Sequence, residues 1–192
     1  QVLRGQSRAE GGAGFDLFID VLRTMCLYEP PQPLEAAVLK ELAPDLPTLL
    51  GCEVADAPPL EGQAARQRLL SVVTSLFLRI RHPTVLLLED LHWAEPDSIG
   101  LLRAIIPRIS TLPLLIAGSY RNDERPTLPA DLRVENPLVL GRLSQIQIDH
   151  LCTSILGKRD HRALIDWLDA QTEGNVLFIV EAMRAIAEDA GS

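Results

Sequence analysis

The 192-residue chain is sparing with cysteine, with basic residues and with long apolar runs, and each scarcity removes a class of protein. Its three cysteines, Cys26, Cys52 and Cys152, stand far apart and show none of the CxxC or Cys/His spacings that zinc requires. Reduced, mostly buried thiols are expected. Lys and Arg number 18 against 26 Asp and Glu, a formal net charge of -8, and the basic residues are dispersed. A surface that tracks nucleic-acid phosphates shows the opposite balance, so direct DNA or RNA binding by this segment is not expected. No apolar run approaches the roughly 18 residues of a membrane helix, and the first residues lack a basic start followed by an apolar stretch. A cytoplasmic setting is expected, without a membrane partner.

What the chain does contain is ordinary for a globular protein, with 47% apolar and 23% charged residues. Its length suits one domain with a real core, or a core domain with a small appendage. The chain opens on Gln1 rather than Met, and residues 1–5 read as the end of a strand, which suggests a fragment of a longer protein.

After Gly11-Gly12-Ala13-Gly14, apolar residues at Phe15, Phe18, Ile19, Leu22, Met25 and Cys26 have the spacing of one helical face. A second helix is expected over residues 34–42, and Pro44, Pro47, Pro58 and Pro59 mark an irregular connection. Leu69, Leu70, Val72, Val73, Leu76, Phe77 and Ile80 predict a long amphipathic helix within residues 61–81, closed by His82-Pro83. A buried strand follows at Thr84-Val85-Leu86-Leu87-Leu88. Asp97 or Ser98 is then positioned to cap a helix that Pro107 must kink or end.

Residues 112–121 read as a second buried strand, and Asn136-Pro137-Leu138-Val139-Leu140 as a shorter one. Only helices are expected beyond. Ser144 and Gln147 fit a capping box, Asp160 caps the next helix with Leu164, Ile165, Trp167 and Leu168 inward, Gly174 ends it, and a last helix covers residues 176–188. The order predicts an α/β fold, a parallel sheet with crossover helices, followed by a helical lid.

Glu89 and Asp90 are the candidates for chemistry, because a strand this apolar has no structural need for two successive acids. At the carboxyl end of a strand in an open parallel sheet, such acids suit a hydrated divalent cation carrying phosphates. One acid holds the metal while the other activates water, and alternation along a strand gives them different directions. Arg121 ends the next strand on the same rim, where a guanidinium stabilises charge developing on a terminal phosphate. The bland alternatives are solvated loop acids and a surface arginine paired with Asp123 or Glu124. Trp93 reads as a packing residue that pins the loop, and His92 shows no triad or metal-ligand spacing.

Residues 85–96, Val-Leu-Leu-Leu-Glu-Asp-Leu-His-Trp-Ala-Glu-Pro, resemble the Walker B region of the STAND branch of AAA-type P-loop NTPases, signal-transduction ATPases with numerous domains. Leu115 to Glu124 resemble the sensor strand of that family, Leu140-Gly141-Arg142-Leu143-Ser144 the approach to its helical subdomain, and Thr172 to Glu181 its Gly-Asn-Pro-type segment. The resemblance implies a P-loop NTPase-like sheet over residues 1–141 and a helical lid over 142–192. It implies binding of ATP and Mg2+, with Glu89 on the metal, Asp90 on the attacking water, Arg121 as the sensor arginine, and Gly174 and Asn175 near the adenine. It also implies attached effector or regulatory domains and nucleotide-dependent self-association.

Two departures stand out. Val176 occupies a position where the family usually has proline, and no GxxxxGK[ST] phosphate loop exists in these residues. Gly157-Lys158-Arg159 lacks the Ser or Thr and the earlier glycine, and Gly11-Gly12-Ala13-Gly14 lacks the lysine. The family places that loop and its central strand ahead of residue 1, so this segment alone is not expected to hold ATP tightly. A degenerate, non-catalytic scaffold on the same fold is the alternative. An unrelated α/β hydrolase is disfavoured because GxSxG is absent.

Overall fold

A computed structural model describes residues 1–10, 14–157 and 161–190, which form two compact units, Gln1–Asn136 and Pro137–Ser192. Gly11 to Ala13, Lys158, Arg159 and the expected cap Asp160 lie outside the described residues.

The first unit is built on three parallel strands in the order β1 (Val2–Gln6), β2 (Thr84–Glu89), β3 (Leu114–Gly118). Leu3 pairs with Leu86, and Leu86 with Ile116, so chain direction and register carry all three carboxyl ends to one rim. A 3-10 turn (Asp16–Phe18) and α1 (Ile19–Tyr28) follow β1, then α2 (Pro33–Leu39), α3 (Leu46–Leu50) and α4 (Gly62–Leu78). Between β2 and β3 run a 3-10 turn (Leu91–Trp93), α5 (Pro96–Ile105) and a 3-10 segment (Ile106–Thr111); α6 (Leu128–Leu132) comes after β3. Phe18, Val21, Val38, Val73, Phe77, Leu86, Leu88, Leu101 and Ile105 are among the buried residues that join helices and sheet in one core.

The two faces of the sheet differ. Leu3, Leu86, Leu88 and Leu114 are buried on one face, whereas on the other Val2 is 54% exposed, Leu115 is 61% exposed, and Val85 and Leu87 are only half-covered. Parallel strands ordinarily have both faces covered, since their crossovers place helices on each side.

Several expectations are corrected. Residues 138–140 form no strand: Leu138, Val139 and Leu140 are 86%, 73% and 85% exposed, and among the described residues no strand pairs with them. An apolar run becomes a strand only where an edge accepts its backbone hydrogen bonds. The cap of α5 is Glu95 rather than Asp97 or Ser98, because Pro96 at the first helical position fixes the start earlier. The helix does end before Pro107. The second helix stops at Leu39 rather than residue 42, and the proline-marked connection contains α3, whose Leu46 is buried.

The second unit comprises α7 (Gln145–Leu156), α8 (Arg162–Thr172) and α9 (Val176–Ala190) around Ile148, Cys152, Leu168, Ile179 and Met183. The Ser144 backbone N–H donates to Gln147 Oε1 at 2.9 Å, as a capping box requires. Trp167 is half-exposed rather than inward. At about 100° per residue it falls well to one side of the stripe set by Leu164, Ile165, Leu168 and Thr172.

Cys26 and Cys152 are buried and Cys52 is exposed. Burial, with the Glu35 carboxylate nearby, pushes the Cys26 thiol up to about 11. Among the described residues no helix is long and apolar enough to cross a membrane.

Glu35 joins α2 to α4. Burial works against its charge, but the Gln32 N–H (2.9 Å), the Arg79 guanidinium (2.9 Å) and the Ser75 hydroxyl (3.0 Å) outweigh that and hold its carboxyl below the usual range. A depressed folded-state value means that the stabilisation is complete above the unfolded carboxylate value of about 4.3 and disappears as pH falls through the folded one. Glu35→Gln is expected to melt below the parent at pH 7, with the gap closing below about pH 4; a gap constant with pH in calorimetry would refute this role.

Candidate functional site

Alternation along β2 buries Thr84, Leu86 and Leu88, and Glu89 is the first exposed residue after that run. Asp90 then leaves the strand in the left-handed region, at φ 59° and ψ 40°. Aspartate visits this region more readily than most residues because its short polar side chain bonds locally. Three bonds fix the conformation. The Asp90 N–H donates to Ser119 Oγ at 3.3 Å, its carbonyl accepts from the Trp93 N–H at 2.9 Å, and its Oδ2 accepts from Gln6 Nε2 at 2.9 Å. Strand alternation therefore governs Glu89 but not Asp90, whose direction is set by the turn.

The chain leaving β3 is stitched to that turn. The Ser119 N–H donates to Leu88 O and the Leu91 N–H to Ser119 O, each at 2.9 Å. A Cβ on Gly118 would lie 2.5 Å from Leu91 Cδ1, so any larger residue there would have to push the end of the Leu91 side chain aside. Arg121 stands on this rim with an exposed side chain, its Nη1 donating to Glu124 Oε1 at 3.1 Å and its backbone N–H to His92 Nδ1 at 3.4 Å. Trp93 Nε1 donates to Glu124 Oε2 at 3.2 Å, which ties the turn after β2 to the loop after β3. Glu89, Asp90 and Arg121 thus share the rim of adjacent strands.

Gly174 and Asn175 belong to the second unit, where each has local structural work. Gly174 has φ 76°, and a Cβ there would lie 2.3 Å from Leu143 O. Its carbonyl accepts the Leu143 N–H at 2.8 Å. Asn175 Oδ1 accepts the Leu177 N–H at 3.1 Å, in the first turn of α9. Val176 is exposed.

Gln6 and Ser119 are site residues that sequence reasoning missed. Gln6 lies in no motif and Ser119 was read only as part of the sensor-like segment, so their roles follow from the pairing of Gln6 with Glu89 and of Leu88 with Gly118 across the sheet. Glu124 was visible only as a possible surface partner of Arg121.

Chemically, two carboxylates and a guanidinium on the carboxyl rim of a parallel sheet suit a hydrated divalent cation and phosphates. Among the described residues no three His, Cys, Asp or Glu side chains cluster to cage a metal. Mg2+ suits such a setting, because it keeps several waters and takes one or two carboxylates plus phosphate oxygens.

A family model described as an AAA ATPase domain matches residues 16–117, from the turn before α1 to the penultimate residue of β3. The match takes in Glu89 and Asp90 and ends before Arg121, Gly174 and Asn175. No curated protein and no solved structure matches the chain. Since the matched residues make up more than half of the chain and include β2 with the acids at its end, the chain belongs to the AAA ATPase domain family.

Proposed function

We propose that these residues are the metal- and water-handling part of an ATP-hydrolysing regulatory switch of the STAND type. In this reading residues 1–141 are the ATPase core, 142–192 are the lid, and a phosphate-binding strand, loop and helix from outside the 192 residues complete the site. The observation that carries the reading is the rim itself: Asp90 is locked in a left-handed turn beside Glu89 and bonded to Ser119, in the segment that leads from β3 to Arg121. The half-bare apolar face of the sheet supports the need for a further helix, and the outer edge of β3, unpaired among the described residues, the need for a further strand.

The residues present fit Mg2+–ATP at the reacting end and lack the phosphate cradle. Glu89, exposed at the strand end, is the donor for Mg2+, which when bound neutralises charge on the phosphates. Asp90, oriented by Gln6, would accept a hydrogen bond from the attacking water and draw off its proton. Arg121 would meet the charge that develops on the transferred phosphoryl oxygens, and Gly174 and Asn175 would lie near the base. The arginine would pass the phosphate state to the lid and so to attached effector domains.

The scaffold reading is favoured by one observation, that Asp90 and Arg121 already have internal partners in Gln6 and Glu124. Melting of the protein that includes the upstream phosphate loop separates the two. Mg2+–ATP is expected to raise its melting temperature, because a ligand bound to the native state alone stabilises it by mass action. An unchanged melting temperature at millimolar Mg2+–ATP would sink the ATPase reading in favour of the scaffold.

A further inference from the structure

One carboxylate gathers the side chains of both site turns. Glu124 Oε1 accepts from Arg121 Nη1 at 3.1 Å, and Oε2 accepts from Trp93 Nε1 at 3.2 Å. The same Oε2 lies 3.7 Å from Nε2 of His92, a side chain that is fully buried and whose Nε2 has no hydrogen-bond partner among the described residues. Because His92 Nδ1 accepts the Arg121 N–H, Nε2 is the ring nitrogen left to donate. The next residue, Arg125, clamps the first turn from the same loop, donating to Ala94 O at 2.9 Å and Leu91 O at 3.4 Å.

We infer that Glu124 is a positioning residue: it sets the direction of Arg121 and couples that direction to the turn that carries Asp90. The inference rests on the ATPase reading of Asp90 and Arg121. An exposed arginine–glutamate pair contributes little to stability, so the weight of this contact lies in geometry. A guanidinium has five N–H donors in a rigid fork, and holding one of them on Glu124 leaves the others pre-aligned for phosphate oxygens. The second oxygen, on Trp93, prevents the carboxylate from following the arginine freely. Displacement of Arg121 is thereby felt at Trp93, three residues from Asp90.

The test uses the protein that includes the proposed phosphate loop, labelled with 5-fluorotryptophan, with the Trp93 resonance assigned by its loss in Trp93→Phe. Without nucleotide, Arg121→Ala is expected to shift the Trp93 resonance, and the shift should vanish in a Glu124→Ala background. With Mg2+–ATP, Glu124→Ala is expected to lower kcat about 10-fold with KM changed little, since misplacement rather than loss of a catalytic group is the defect. Glu124→Gln, which keeps an acceptor for Trp93 but not the charge for Arg121, should fall between. A Trp93 shift that persists without Glu124, or a parental kcat in Glu124→Ala, overturns the inference while leaving the ATPase reading intact. Intact coupling in a protein that neither binds nor turns over ATP overturns the ATPase reading, and the positioning role with it.

Discussion

Asp90→Asn is expected to lower ATP turnover about 100-fold or more, with ATP affinity within a few-fold of the parent, because positioned proton transfer contributes about 10²- to 10⁴-fold. The substitution isolates the chemistry well. Asparagine also tolerates the left-handed conformation at this position, and its amide oxygen can keep the bond from Gln6. What it cannot do is take a proton from water. Asp90→Ala is the less informative variant, since it also loses the Gln6 bond and places a side chain poorly suited to positive φ in the turn. Single-turnover rates and equilibrium ATP binding, measured on the protein extended through the proposed phosphate loop, give the two halves of the prediction. Parental turnover by Asp90→Asn would end the water-activating role, and a matching loss of binding would make the residue structural.

The parts of this fold that were legible in the sequence are those where one local signal suffices. Residues 85–88 form an unbroken, short apolar run, and no helix of that length could bury them, so β2 was readable before its partners were known. The capping box at Ser144 was equally local. Residues 138–140 have the same apolar character as β2 but pair with no strand among the described residues, and composition alone cannot report whether a run is paired. The site divides along the same line. The acids and Arg121 stand at strand ends and were visible as such, whereas Gln6, Ser119 and the double attachment of Glu124 depend on which strands are adjacent. The left-handed turn at Asp90 is the sharpest case. The sequence supplies an aspartate able to adopt it, but the conformation is imposed by bonds to residues 29 and 84 positions away.

The same dependence on non-local packing makes Phe77→Ala the largest expected loss of stability, about 3–5 kcal/mol by the usual cost of removing a buried aromatic ring. Phe77 projects from α4 and is fully buried, its ring 6.0 Å from that of Phe18 and nearly perpendicular at 85°. Edge-to-face pairs of this kind add about 0.5–1.5 kcal/mol beyond simple burial. The residues that share this core are mainly aliphatic. A melting temperature about 10 °C below the parent follows for a unit of this size. Phe77→Leu should recover most of it, because volume rather than aromaticity supplies the larger share. Hydrogen exchange gives the sharper readout. Protection is expected to fall at β1, β2 and α4, which share this core, and to change less in α7, α8 and α9, whose buried residues form a separate cluster. Equal losses in both sets would show that the two units unfold as one, and a Phe77→Ala protein as stable as the parent would show that the Phe18–Phe77 contact does not hold the first turn after β1 against the sheet.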